Sequence, residues 1–243
     1  MSELYGGIHL GPFTLYYSWL GTFLFVLVTV FTAKWYASKQ HVEEVDDFID
    51  VFIASCTMWL VVWKVSGMLF VLHDLFRVPA KVLFAAPTAA SGMIATAVVI
   101  LYIGYSIWRG HLVMSRMFDL IVVSFTAGLI PYCLFHLQLG QQMPRPFGIA
   151  MEGGQFAPVN VYEVIILCVN IGILWSALRT RDTTVSKTVI GFYVVALDSI
   201  GSLFVSLFSN HDVLWGFLSP WQWGLLALAC VGLWGMTRDR VAS

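Results

Sequence analysis

Charge is what this chain has least of. Only 11% of its 243 residues are Asp, Glu, Lys or Arg, against about 25% in an ordinary soluble domain. So few charges cannot cover a water-facing surface, so lipid must serve as part of the solvent. Cysteine is also sparse. Cys56, Cys133, Cys168 and Cys230 each lie inside an apolar run and form no C-x-x-C pair. They read as small packing residues, not as a disulfide framework or a metal site. The first fifteen residues contain no Lys or Arg, so the charged start of a secretory signal is missing. No H-E-x-x-H, phosphate-binding loop or G-x-S-x-G occurs, and the six histidines are scattered without ligand spacing. A net charge of −1 gives no reason to expect a nucleic-acid partner.

What the chain has is apolar length. It is 59% hydrophobic, with a mean hydropathy of +0.82. A bilayer core takes about 20 apolar residues in helical form. Seven stretches qualify: 14–36, 48–72, 82–108, 117–140, 159–178, 188–209 and 213–236. Each is continuous, unlike the short alternating segments of a membrane barrel. A helix also satisfies its own backbone in lipid. The expectation is an all-α integral membrane protein of about seven transmembrane helices, forming a single domain over 1–243. Its longest connector, 141–158, is rich in Gly and Pro.

Basic residues fix an expected orientation. Lys34, Lys39, Arg109, Arg116, Arg179, Arg181, Lys187, Arg238 and Arg240 fall on one side, and Arg77, Lys81 and Arg145 on the other. Positive charge favours the inner side, so the N-terminus and the 141–158 loop are expected outside and the C-terminus inside.

Polar side chains at membrane depth are costly and mark internal contacts or function. Lys64 follows Trp59-Leu-Val-Val-Trp63 in span two, Asp198 lies in span six, Glu163 opens span five, and His136 and Gln138 end span four. Each also has a plain structural reading: internal pairing, a helix-end hydrogen bond, or a stem reaching to the interface. Arg145, between Pro144 and Pro146, has a restricted backbone. It would suit a lipid phosphate, or simply be a solvated loop charge.

The order of these segments resembles bacterial prolipoprotein diacylglyceryl transferase. Leu10-Gly-Pro-Phe-Thr-Leu-Tyr-Tyr17 is similar to the family's opening I-G-P-x-x-I-x-W-Y. Trp63-Lys-Val-Ser-Gly-Met-Leu-Phe70 is similar to A-R-L-G-Y-V-L-F, with Lys64 for Arg. Arg145-Pro-Phe-Gly-Ile149 resembles P-W-G-I, and Ala157-Pro-Val-Asn-Val-Tyr-Glu163 resembles H-P-x-x-L-Y-E. Leu218-Ser-Pro-Trp-Gln222 resembles L-S-x-x-Q. The resemblance implies a seven-helix enzyme of the bacterial cytoplasmic membrane with no cofactor. Such an enzyme moves diacylglyceryl from phosphatidylglycerol to the cysteine thiol of a prolipoprotein, recognised by its signal peptide. Glu163, Tyr162 and His136 would then be catalytic, and Lys64, Arg145, Asn160, Gln222 and Asp198 would bind substrate.

The departures are as specific. Where the family has G-R-x-G-N-F-x-N-G-E, this chain reads Gly128-Leu-Ile-Pro-Tyr-Cys-Leu-Phe-His-Leu137. Its H-G-G becomes Ala90-Ser-Gly92, the His of H-P-x-x-L-Y-E is Ala157, and the late Y-G-x-x-R-x-x-x-E has no Arg after Tyr193. A thiol must be ionised to attack, and a leaving glycerol phosphate needs fixed cations. Lys64 and Arg145 remain as candidate cations, and Glu163 and His136 as candidate bases. Residues of a concerted site act as a unit, so three expectations stand together. The chain is a divergent transferase, or an inactive relative binding phospholipid or a membrane partner, or, at greater distance, a small transporter coupling Lys64 to Asp198.

Overall fold

The computed structural model describes residues 7–10, 13–69, 88–110, 114–143, 148–151, 154–180, 189–210, 215 and 217–242. Among them are seven helices: α1 (Tyr17–Gln40), α2 (Val45–Leu69), α3 (Ala89–Trp108), α4 (Met114–Phe135), α5 (Val159–Thr180), α6 (Val189–Ser206) and α7 (Pro220–Ala242). A hairpin pairs β1 (Gly7–Leu10) with β2 (Phe13–Tyr16), Gly7 opposite Tyr16. A small sheet holds β3 (Leu139–Gln142), β4 (Ile149–Met151) and β5 (Gly154–Pro158) in the order β3-β5-β4, all antiparallel.

Five helices, α1 to α5, contain segments long and apolar enough to cross a membrane. Burial confirms the solvent. Phe31, Ile100, Leu101, Phe204 and Trp234 are exposed, whereas Ser124, Thr126, Asn170, Ser199 and Gln222 are buried. Apolar outside and polar inside is stable only where the surrounding medium is hydrocarbon. The chain is therefore an all-α, multi-pass membrane protein.

The structure trims the expected spans. Residues 14–16 belong to β2, so the first helix starts at Tyr17. Span four ends at Phe135, and Leu139 onward pairs as a strand instead of continuing the helix. The Gly-rich connector 141–158 is mostly sheet: Leu139 faces Pro158, and Ile149 faces Phe156. α6 has 18 residues, about 27 Å of helix. α7 begins at Pro220, seven residues later than expected, and its first turn carries Trp221, Gln222 and Trp223.

The chain divides into two compact units, 42–117 and the remainder. In the smaller unit α2 and α3 pack together, and Trp59 Nε1 donates to Thr96 Oγ1 at 3.2 Å. Thr88 caps α3, its Oγ1 accepting from Ser91 N at 3.3 Å. In the larger unit glycines set the helix spacing. A Cβ on Gly21 of α1 would stand 2.8 Å from Phe135 Cβ of α4, and one on Gly232 of α7 would stand 2.7 Å from Ala196 N of α6. Small residues at such crossings let membrane helices gain van der Waals contact where lipid offers no hydrophobic drive. These crossings run antiparallel, so the ends of α1, α5 and α7 share one side with the starts of α4 and α6.

Candidate functional site

A polar lane runs through the larger unit. It starts where α7 begins. Ser219 Oγ accepts from Gln222 N at 3.2 Å, and Gln222 Oε1 accepts from Ser219 N at 2.8 Å. This reciprocal pair, with Pro220 at the first helical position, is a capping box. Gln222 is buried, and its Nε2 donates to Ser206 Oγ of α6 at 3.1 Å. Ser206, Ser202 and Asp198 follow each other at four-residue steps on α6, one above the next on the same face.

Ser202 Oγ donates to Glu163 Oε2 of α5 at 2.9 Å. One turn deeper, Asp198 receives two hydrogen bonds: Thr126 Oγ1 of α4 to Oδ2 at 2.5 Å, and Asn170 Nδ2 of α5 to Oδ1 at 2.6 Å. Glu163 and Asn170 are seven residues apart, so α5 presents both to α6 on one stripe. Asp198 thus joins three helices near the middle of α6. A buried carboxylate is tolerated only with donors on its oxygens. Leu120 and Val123 of α4 and Val194 of α6 are each no more than 2% exposed. Asp119 then accepts from Gly191 N at 2.8 Å, in the first turn of α6, where a carboxylate matches the positive end of the helix dipole.

The residues expected to act have the following places. Asn160 is buried at the start of α5; its Oδ1 accepts from Gln138 N at 3.5 Å, beside the Val159 N to Gln138 O bond at 3.1 Å. Together these join the α4–β3 connection to α5. Tyr162 sets its ring edge-on to Phe208, centroids 5.8 Å apart. His136 stacks on Tyr132 at 4.0 Å, with Nδ1 2.9 Å from Tyr132 O, so the ring closes the last turn of α4. Lys64 belongs to the smaller unit, half-buried five residues before the end of α2. Arg145 lies outside the described residues. The structure therefore brings Glu163, Asp198 and Gln222 onto one lane and holds Asn160, Tyr162 and His136 in structural contacts near the start of α5 and the end of α4.

Thr126, Asn170, Ser202 and Asp119 belong to this network, and the sequence reading does not single them out. Their signal was helical spacing: Asn170 one heptad after Glu163, and Ser202 one turn after Asp198. Asn170 sits inside Leu167-Cys-Val-Asn-Ile-Gly172, where an unpaired amide would be costly, though less so than a charge.

The fold and the lane define a multi-pass membrane protein with a part-buried, carboxylate-centred polar seam. No family model, no curated protein and no solved structure matches the chain.

Proposed function

We propose that the chain is a phospholipid-binding membrane protein on a diacylglyceryl-transferase-like scaffold, and that it does not perform the transfer. The observation that carries this reading is the engagement of the seam. Gln222 and Asn160, at positions resembling the family's binding motifs, fasten helix starts. The middle of the seam holds two carboxylates, Glu163 and Asp198. A leaving glycerol phosphate needs cations there, and carboxylates repel it. In this reading the chain makes seven crossings of the bacterial cytoplasmic membrane, with the N-terminus and the β3-β5-β4 sheet outside, as the distribution of basic residues favours.

The test is reconstitution in phosphatidylglycerol vesicles with a lipobox peptide carrying a free cysteine, read by mass spectrometry. The expected result is no diacylglyceryl adduct under conditions where an authentic transferase works, and unaltered phospholipid retained by the purified protein.

One observation favours a second reading, a working divergent transferase. Among the described residues Glu163 accepts one hydrogen bond, from Ser202, and stands one turn inside the start of α5. As a base it would take the thiol proton while sulfur attacks the glyceryl carbon and the glycerol phosphate leaves. Tyr162 and His136 would assist. Product that disappears in Glu163→Gln and Lys64→Met would establish this reading and overturn the first.

A further inference from the structure

At the opposite end of the larger unit from the capping box, α1, α4 and α5 enclose an apolar cleft of about 370 Å³. Its walls include Phe31 and Trp35 of α1, Val123 and Ala127 of α4, and Ile171 and Trp175 of α5. The gap arises from residue size. Val123 and Ala127 are four residues apart on α4 and short, whereas the flanking helices carry aromatic side chains. The volume lies in the range of sites that take one small apolar ligand, roughly 300–1,000 Å³. Phe31 and Trp175 are 73% and 54% exposed, so the cleft opens sideways, toward the hydrocarbon.

The two outer walls carry one pattern. On α1, Phe31, Trp35 and Lys39 follow at four-residue steps; on α5, Ile171, Trp175 and Arg179 do the same. Trp35 and Trp175 stack with centroids 4.8 Å apart and planes 6° from parallel. That contact sets the two helices in register. Apolar residues therefore stand level with apolar residues, tryptophan with tryptophan, and Lys39 with Arg179 one turn further on. Tryptophan favours the boundary between acyl chains and headgroups. Basic positions on both helices, one turn beyond an apolar slot and a tryptophan boundary, match the layers of one anionic phospholipid.

We infer that this cleft binds an acyl chain of an anionic phospholipid, with the lipid phosphate at the Lys39–Arg179 end. The inference rests on the phospholipid-binding reading and deepens it by naming a headgroup class and a place.

The test uses the full-length protein in nanodiscs doped with diazirine-bearing phosphatidylglycerol or the matching phosphatidylcholine probe. Adducts are mapped by peptide mass spectrometry. The expected result is saturable labelling concentrated in 31–35, 123–127 and 171–175, favouring the anionic probe. Lys39→Gln and Arg179→Gln should each reduce that preference by about fivefold while labelling by the zwitterionic probe stays unchanged. Ala127→Trp fills the cleft and should abolish local labelling; Thr32→Phe fills it from α1, should Ala127→Trp fail to fold. Saturable labelling confined elsewhere, or equal labelling by both probes, overturns this inference and leaves the general reading standing. Absence of saturable labelling anywhere overturns both.

Discussion

Asn170 Nδ2 donates to Asp198 Oδ1 at 2.6 Å, and this bond between α5 and α6 is completed from α4 by Thr126. Asp198 therefore acts first as a three-helix clasp. Asn170→Leu removes one donor from a largely buried carboxylate and should lower stability by about 1 kcal/mol or more. Asp198→Asn keeps groups that can bond both neighbours and should cost less. Thermal unfolding in mild detergent compares them. If Asn170→Leu melts with the native protein, the clasp is not a stabilising element.

Helix spacing gives a second contrast. An alanine methyl at Gly232 meets the backbone of Ala196 across α6 and α7, whereas nothing lies within 4 Å of a Cβ at Gly172. Gly232→Ala should destabilise by about 1–3 kcal/mol. Gly172→Ala should be neutral or stabilising by up to about 1 kcal/mol, since alanine is the better helix former. Equal melting of the two variants would count against close α6–α7 contact at that position.

The capping box at α7 predicts coupling. Ser219→Ala should cost about 0.5–2 kcal/mol. Gln222→Leu should cost a similar amount, because it also removes the hydrogen bond from Gln222 Nε2 to Ser206 Oγ between α7 and α6. The double variant should cost less than the sum, since each residue's cap bond needs the other. A double-mutant cycle on unfolding free energies checks this, and strict additivity would contradict a reciprocal box.

Orientation is testable by labelling. In a variant with its four cysteines replaced by alanine, Gln142→Cys in β3 should react with an impermeant maleimide added outside intact cells. Ser38→Cys, near the end of α1, should react only after permeabilisation. The reverse pattern would invert the topology inferred from Lys34, Lys39 and their basic neighbours.

Much of this architecture was legible in the sequence for one reason: lipid leaves the backbone few choices. The apolar runs at 14–36 and 159–178 are too long and continuous for barrel strands, which leaves the helix to satisfy the backbone in hydrocarbon, and α1 and α5 occupy nearly those bounds. The β3-β5-β4 sheet was not legible. Its pairing of Leu139 with Pro158 and of Ile149 with Phe156 is a non-local register within a Gly- and Pro-rich segment that shows no alternation. For the seam, Asp198 and Glu163 drew notice as charges, while their partners Thr126, Asn170 and Ser202 are neutral and common in membrane helices. Charge marks where desolvation is costly; it does not name the donor that offsets it.

The clasp also bears on how the chain is made. α6 is the short helix of the larger unit and carries its acid at mid-length, where translocon insertion costs about 2.5–3.5 kcal/mol. Of its bonding partners, Thr126 and Asn170 are translated earlier, in α4 and α5. The glycine crossing with α7 comes later. Nascent α6 should therefore leave the translocon poorly on its own and depend on segments already in the bilayer. Nascent chains ending after residue 210, scored by glycosylation mapping, should integrate α6 less often when Asn170 and Thr126 are both replaced by leucine and valine. Unchanged integration would mean that Asp198 meets its partners only after synthesis is complete.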